Sequence, residues 1–249
     1  MRARHEALLA RIAAAAAACG RAPESVALLA VSKTFDADAV LALAAGGQRA
    51  FGENYLQEAL AKMSACEARA HEGAPERSSD GAGRPASAGP LEWHFIGPIQ
   101  SNKTRPIAER FDWVHSVDRD KVARRLSEQR PAGLAPLQVC LQVDVSGEAT
   151  KSGCAPDEVP ALARLVASLP GLRLRGLMAI PAPTEDPARQ RAQFARVREA
   201  FEALRADGLP VDTLSMGMSA DLEAAIAEGA TMVRVGTALF GARPAKGAG

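Results

Sequence analysis

The sequence has few of the residues that mark metal centres, disulfide frameworks or nucleic-acid-binding surfaces. Its four cysteines form no CxxC pair and no metal-ligand spacing, and its four histidines are equally scattered. This arrangement gives no reason to expect a metal site and favours free thiols in a reducing cytoplasm. The formal net charge of +1 offers no excess of one sign for binding nucleic acid or a membrane surface. We therefore expect a cytoplasmic protein without metal, nucleic acid or membrane partners.

Long hydrophobic runs are also missing. No stretch approaches the roughly 20 apolar residues of a membrane span. The basic start Met1–Arg4, followed by the alanine run Ala13–Ala18, loosely resembles a secretion signal, but Glu6 and Arg11 interrupt the apolar stretch. Because alanine favours helices and is only weakly hydrophobic, we predict a surface helix here.

What the sequence does contain is a repeated alternation of short apolar runs and helical patterns over its 249 residues. Nearly continuous apolar runs suit strands that are covered on both faces. The candidate strands are Ser25–Val31, Arg49–Phe51, Glu92–Ile96, Trp113–Ser116, Leu137–Val143, Leu172–Met178, Thr213–Ser215 and Met232–Val235. The clearest helical patterns are Glu53–Ala68, Asp118–Gln129, Asp157–Ser168 and Pro187–Ala206. This alternation predicts the α/β class and a single (β/α)8 TIM-type barrel over residues 1–249, with an extra N-terminal helix.

One segment breaks the pattern. His71–Pro90 reads HEGAPERSSDGAGRPASAGP and is rich in glycine, alanine, serine and proline. Such a composition cannot bury enough apolar surface to order itself, so we predict a flexible low-complexity insertion. It falls between a helix and the next strand, which is the barrel face away from the active site.

Small and hydroxylated residues follow the last two predicted strands. Ser219 ends the segment SMGMS, and Gly236 and Thr237 come directly after the eighth strand. Glycine lets backbone N–H groups approach an anion, hydroxyl groups add donors, and helix N-termini add favourable partial charge. Barrel phosphate sites are often built from these two loops. The alternative is that Ser219 merely caps its helix, which Asp221 also favours.

Two cationic residues are expected at the same mouth. Lys33 follows the apolar run of the first strand, where low-dielectric surroundings would favour the neutral amine that attacks an aldehyde. Arg234 ends the last strand and can only donate hydrogen bonds, so a ring nitrogen that faces it would stay largely unprotonated. The alternatives are a solvated Lys33 and an Arg234 paired with a carboxylate such as Glu53.

The motifs VSKTF, FGENYLQEA, WHFIGPIQSNK, VHSVD, GLMAI, LSMGMSADLEAAI and VRVGTALFG resemble the pyridoxal phosphate homeostasis proteins, from about Val26 to Gly241. That family resembles the N-terminal barrel of alanine racemase and contains covalently bound pyridoxal 5′-phosphate. The resemblance implies an internal aldimine on Lys33, phosphate contacts from Ser219, Gly236 and Thr237, and Arg234 facing the ring nitrogen. It further implies that the cofactor pocket is lined by Asn54, His94, Ser116 and Met216. It also implies a role in regulating free pyridoxal phosphate.

Three functions remain open at this point. A carrier would bind the cofactor and release it to apo-enzymes in transient contacts, with no catalytic residue. An amino-acid racemase needs an acid/base group on each face of the cofactor. In alanine racemase a second domain supplies the base opposite the lysine, and we do not expect that domain here. Tyr55 is the one tyrosine in the sequence, and His94 would be only a weak substitute for the second base. An aldolase-like barrel would use Lys33 on a sugar phosphate.

The carrier is the interpretation we favour. Without a racemase-type second domain, the racemase dimer interface is not expected either, and we predict a monomer. Lys103, in the loop after the third strand, is a further hypothesis: it would accept the cofactor transiently during transfer.

Overall fold

The computed structural model describes residues 1–72, 89–145 and 152–241. In this part of the chain, eight parallel strands pair in sequence order and close into a barrel. They are β1 (Ala27–Val31), β2 (Ala50–Glu53), β3 (Glu92–Phe95), β4 (Trp113–Val117), β5 (Leu137–Gln142), β6 (Leu172–Met178), β7 (Thr213–Ser215) and β8 (Met232–Val235). The predicted (β/α)8 barrel class is confirmed.

Helices alternate with these strands and cover the barrel. They are α1 (Arg2–Ala18), α2 (Ala37–Ala45), α3 (Leu56–Glu72), α4 (Thr104–Arg110), α5 (Asp120–Gln129), α6 (Val159–Ser168), α7 (Pro187–Ala206), α8 (Leu222–Ala227) and α9 (Thr237–Phe240). Within the described ranges, none of them combines the length and the apolar character of a membrane-spanning helix.

The barrel closes between its first and last strands. Ala27 is in register with Met232 and Ala30 with Val235, while Ala30 also faces Phe51 on β2. Four of the five β1 residues are buried, as expected for a strand between an inner core and an outer layer of helices. The carboxyl ends of β1, β2 and β8 therefore meet at one side of the barrel mouth.

The predicted N-terminal helix is present and packs on the barrel through Leu8, Ile12 and Ala16. Arg11, on its outer side, forms a two-pronged ion pair with Glu223 of α8, with N–O distances of 2.6 and 2.7 Å. The same arginine donates to the carbonyl oxygen of Ser219 over 3.0 Å. The added helix thus supports the loop between β7 and α8.

Two boundaries differ from the sequence prediction in a way that matters for the site. Glu53 was predicted to begin a helix, but it ends β2, and α3 begins at Leu56. The helix for which Ser219 was considered as a cap begins at Leu222, with Asp221 as its N-cap residue. α3 continues through Glu72, and residues 73–88 of the predicted 71–90 insertion lie outside the described residues.

Candidate functional site

A cavity of about 300 Å³ opens at the carboxyl ends of the strands, at the lower end of the range for small-molecule pockets. Six of the nine predicted site residues line it: Lys33, Asn54, Ser219, Arg234, Gly236 and Thr237. The rest of its lining is Val31, Ile96, Ile180, Met218 and Ala220. The cavity therefore has an amine, a guanidinium and several hydroxyl or backbone donors around an apolar wall.

The backbone on both sides of Lys33 is held by charged groups, of which Glu53 and Lys62 are buried and Glu58 is partly exposed. The preceding Ser32 donates its hydroxyl to Glu53 Oε1 over 2.6 Å, and its carbonyl oxygen accepts from Lys62 Nζ over 2.7 Å. The following Thr34 has a left-handed backbone with φ of +70°, and its N–H donates to Glu58. The turn that presents Lys33 is thus fixed at its two neighbours.

Glu53 is the centre of this arrangement. Its carboxylate is fully buried, and burial raises its pKa, while the ion pair with Lys62 and the hydroxyl of Ser32 act in the opposite direction. Lys62 also lies 3.3 Å from Glu58, its i−4 neighbour on α3. The side chains of α3 thus fix the end of β1 from outside the cavity.

The loop between β7 and α8 forms another part of the cavity wall. Gly217 has φ of +94°, and a Cβ there would lie 2.6 Å from Ala225, so this position requires glycine. The N–H of Met218 donates to Asp221 Oδ1 over 2.6 Å. Because Asp221 holds the N-cap position of α8, Ser219 is not the capping residue and instead faces the cavity.

Arg234 forms the floor between these walls. One guanidinium nitrogen, Nη1, donates to both the carbonyl and the hydroxyl of Ser215, the latter over 2.8 Å; the other, Nη2, donates to the carbonyl of Ala179 over 2.8 Å. Burial lowers its pKa to about 10, so it remains a cation at neutral pH. The alternative pairing with Glu53 is not found, since Glu53 pairs with Lys62.

Asn54 and Gly97 meet at the third side of the mouth. A Cβ on Gly97 would lie 2.1 Å from the carbonyl oxygen of Asn54, so the two backbones approach as closely as glycine allows. Ser116 donates its hydroxyl to the carbonyl of Gly97 over 2.5 Å. Among the described residues, the buried Oδ1 of Asn54 has no hydrogen-bond partner. It is an unsatisfied buried acceptor on a residue that lines the cavity.

Three predicted site residues, His94, Ser116 and Met216, are buried and do not line this cavity. His94 lies within β3, where it contacts His115 on β4. Ser116 acts on the mouth through Gly97, and Met216 is fully buried behind the loop that carries Ser219. Ile96, Ile180 and Met218 also line the cavity although none was predicted as a site residue, and each follows the end of a strand.

A second cavity, of about 760 Å³, lies near the amino ends of β2 and β3. It is lined mostly by α2 and α3, together with Gly89, Pro90 and Leu91. Because residues 73–88 adjoin it in sequence and lie outside the described residues, we assign no ligand to it. No group of three histidine, cysteine or acidic side chains suited to a metal ion occurs in the described ranges.

Comparisons with known proteins agree with this geometry. Residues 5–244 match the family described as alanine racemase, N-terminal domain. The chain is 63% identical over 234 residues to the pyridoxal phosphate homeostasis protein of Pseudomonas aeruginosa, covering 94% of this chain and 92% of that protein. It is 50% identical to the protein of the same name from Escherichia coli K12, with coverage of 94% and 92%.

A solved structure shows the same architecture. PipY of Synechococcus elongatus, with PLP bound, superposes with a TM-score of 0.74 at 38% identity, covering 92% of this chain and 100% of that one.

Proposed function

Because the chain belongs to the family of pyridoxal phosphate homeostasis proteins, we propose that it binds pyridoxal 5′-phosphate at the barrel mouth and takes part in the homeostasis of that cofactor. In this proposal Lys33 holds the cofactor's aldehyde as a Schiff base, with loss of one water. The two relatives of that name match over 92% of their own length, and PipY, at the lower identity of 38%, has PLP bound.

The observation that carries the proposal is the chemical match between the cavity and a phosphorylated heteroaromatic aldehyde. Lys33 supplies an amine, and Ser219, Gly236 and Thr237 supply hydroxyl and backbone donors, around a cavity of about 300 Å³. Ser219, Gly236 and Thr237 would bind the phosphate, and the cationic Arg234 would face the ring nitrogen. Asn54, whose buried Oδ1 has no hydrogen-bond partner among the described residues, would lie beside the cofactor.

The cavity supports a carrier better than a racemase. A two-base racemase needs a titratable group on each face of the cofactor. The described residues that line the cavity include no aspartate, glutamate, histidine, cysteine or tyrosine that could act as a second base. Tyr55 is outside the lining and 56% exposed. Arg234 also disfavours the protonated pyridine ring that serves as an electron sink. We therefore propose that any racemase activity is a minor side reaction.

Release to apo-enzymes is the second half of the proposal. The mouth is open at Ser219, Ala220 and Thr237, so a recipient enzyme can approach the bound cofactor without barrel unfolding. Lys103 is exposed beyond β3 but does not line the cavity, and its role as a transient acceptor remains a prediction. We propose that the carrier acts as a monomer.

A transfer assay tests this function. The protein is loaded with pyridoxal 5′-phosphate, freed of excess cofactor and mixed with an apo-enzyme that depends on it, in the presence of a phosphatase that destroys free cofactor. Recovery of the apo-enzyme's activity despite the phosphatase supports direct transfer. Loss of all recovery would show that the protein releases cofactor only into solution. Lys103→Ala, compared with the matched surface variant Lys121→Ala, shows whether Lys103 takes part.

A further inference from the structure

The N-terminal helix α1 lies outside the barrel, yet one of its side chains contacts the loop that carries Ser219. Arg11 donates from Nε and Nη2 to the two carboxylate oxygens of Glu223 on α8, over 2.6 and 2.7 Å. Its other terminal nitrogen, Nη1, donates to the carbonyl oxygen of Ser219 over 3.0 Å. One guanidinium therefore holds both the loop between β7 and α8 and the helix that follows it.

The planar shape of the guanidinium makes these contacts depend on one another. Its N–H groups point in fixed directions within one plane, so the two bonds to Glu223 also set the direction of the third donor. The helix that carries Arg11 is itself anchored on the barrel through the buried side chains of Leu8 and Ile12. The carbonyl group of Ser219 is thus held in a direction that points towards α1.

The direction of that carbonyl fixes the direction of the next N–H group. None of the described peptide bonds is cis, and in a trans peptide the C=O and the N–H point in opposite directions. The N–H of Ala220 is therefore directed away from Arg11. Ser219 and Ala220 both line the cofactor cavity, and among the described residues no group accepts a hydrogen bond from the N–H of Ala220. The peptide thus presents an unpartnered donor on a residue of the cavity wall.

The ion pair itself adds little net charge to the cavity. The hydrogen bond to Glu223 raises the pKa of Arg11, and the same bond lowers the pKa of Glu223, so both groups are ionised at neutral pH and offset each other. The two side chains are 38% and 53% exposed, and solvent screens their fields. Arg11 therefore acts on a ligand in the cavity through the backbone that it holds.

We propose that Arg11 is a positioning residue for the phosphate of pyridoxal 5′-phosphate. It holds the peptide between Ser219 and Ala220 so that the N–H of Ala220 donates to the phosphate, and it thereby sets the preference for the phosphorylated cofactor over pyridoxal. The inference rests on the proposed function, since it requires the phosphate in this cavity. It gives the N-terminal helix a part in ligand selection in addition to its packing on the barrel.

A comparison of two ligands tests the inference. Arg11→Met releases the Ser219 carbonyl and should raise the Kd for pyridoxal 5′-phosphate roughly tenfold, because a hydrogen bond to a charged group is lost. The Kd for pyridoxal should stay the same. Arg11→Lys keeps the charge but not the fork and should recover part of the affinity. Arg2→Met breaks an exposed ion pair with Glu6 on the same helix and is the matched control, with both Kd values unchanged.

A double variant separates position from charge. Arg11→Met leaves Glu223 without its cation, and the uncompensated carboxylate also repels a phosphate. Arg11→Met combined with Glu223→Gln removes both charges while the Ser219 carbonyl stays released. The loss of affinity for pyridoxal 5′-phosphate should persist in this double variant. Full recovery would show that the effect is electrostatic and would overturn the inference.

A third measurement needs no cofactor. Two-dimensional 1H–15N NMR of the apo-protein, titrated with inorganic phosphate, follows the backbone N–H of Ala220 directly. We expect its resonance to shift in the wild type and in Arg2→Met, and to shift much less in Arg11→Met at the same phosphate concentration. An Ala220 resonance that does not respond to phosphate in the wild type would overturn the inference.

The outcomes separate this inference from the proposed function. Wild-type affinity for pyridoxal 5′-phosphate in Arg11→Met, or equal losses for pyridoxal 5′-phosphate and pyridoxal, would overturn the inference alone. Urea denaturation checks that Arg11→Met is folded, and if it is not, Arg11→Lys gives the same ligand comparison with the charge retained. A wild-type protein that takes up no pyridoxal 5′-phosphate would overturn the proposed function and the inference with it.

Discussion

Lys62 Nζ lies 2.6 Å from Glu53 Oε1, and the two side chains are only 3% and 0% exposed. The pair sits beneath the turn that carries Lys33, and both members also contact Ser32. A buried ion pair seldom stabilises a fold over its apolar equivalent, but breaking it leaves one charge uncompensated. The arrangement therefore indicates that the backbone around Lys33 has to be held in one conformation.

Replacing Lys62 tests this directly. Lys62→Met leaves the buried carboxylate of Glu53 without its cation and should lower the free energy of unfolding by about 3–5 kcal/mol. Urea denaturation at neutral pH measures the loss. Adding Glu53→Gln should recover most of it, because the remaining charge is removed. Arg124→Met, at the exposed pair with Asp120, is the control and should cost less than about 1 kcal/mol. A Lys62→Met protein as stable as the control would contradict the account.

The phosphate site is testable by comparing two ligands. Ser219→Ala and Thr237→Val should each remove a hydrogen bond to a charged group, worth about 1.5–3 kcal/mol, and raise the Kd for pyridoxal 5′-phosphate roughly 10- to 100-fold. The Kd for pyridoxal, which lacks the phosphate, should not change. Fluorescence titration with both ligands distinguishes a loss of phosphate contacts from a general loss of cofactor binding. Ser168→Ala on α6 is the control. Equal losses for both ligands would place the phosphate elsewhere.

Gly97 should tolerate no side chain. Gly97→Ala puts a methyl group 2.1 Å from the Asn54 carbonyl oxygen, so the mouth must shift. We expect a loss of about 1–3 kcal/mol in stability and a higher Kd for the cofactor. At Gly133 an added Cβ meets nothing within 4 Å, so Gly133→Ala should be close to neutral in both assays. Wild-type cofactor affinity in Gly97→Ala would show that Asn54 does not shape the site.

The buried histidines predict a pH dependence of stability. The pKa values of His94 and His115 are lowered in the folded protein. Below about pH 6.5 the unfolded chain therefore binds more protons than the folded protein, and the free energy of unfolding decreases as the pH is lowered. Each histidine can contribute as much as about 1.4 kcal/mol per pH unit. Denaturation from about pH 7.5 to 5.5 gives the free energy of unfolding of the wild type and of His115→Gln at each pH. The difference between the two curves separates the contribution of His115 from that of the carboxylates. Parallel stability curves would show that His115 is not held neutral.

The regular parts of the fold were predictable from local patterns. β6, β7, β8 and α7 have the predicted bounds. β6 shows an alternating apolar pattern, β8 is mostly apolar and α7 begins at Pro187 after the N-cap Asp186, whereas β7 is only the three residues Thr213–Ser215. Glu53 was misplaced because charged residues are almost never fully buried unless they are paired, and its partner Lys62 is nine positions away on another element. No local pattern reveals such a pair.

The same limit applies to the site. Lys33, Ser219 and Thr237 lie beyond strand ends, where the barrel topology brings them together at one mouth. His94 and Ser116 precede the ends of their strands, so neighbouring strands cover them. The hydrogen bonds that link His94, His115, Ser215 and Arg234 join residues from four strands, and only the three-dimensional structure shows that they are continuous.

The central claim, that Lys33 holds pyridoxal phosphate covalently, is tested by near-visible absorption of the loaded protein before and after borohydride. We expect a Schiff-base band in the wild type that borohydride removes, with the reduced adduct found on the Lys33 peptide by mass spectrometry. Lys33→Ala should lack both the band and the adduct, whereas Lys103→Ala should retain them. A wild type that shows no such band with added cofactor, or an adduct that persists in Lys33→Ala at another lysine, would contradict the account.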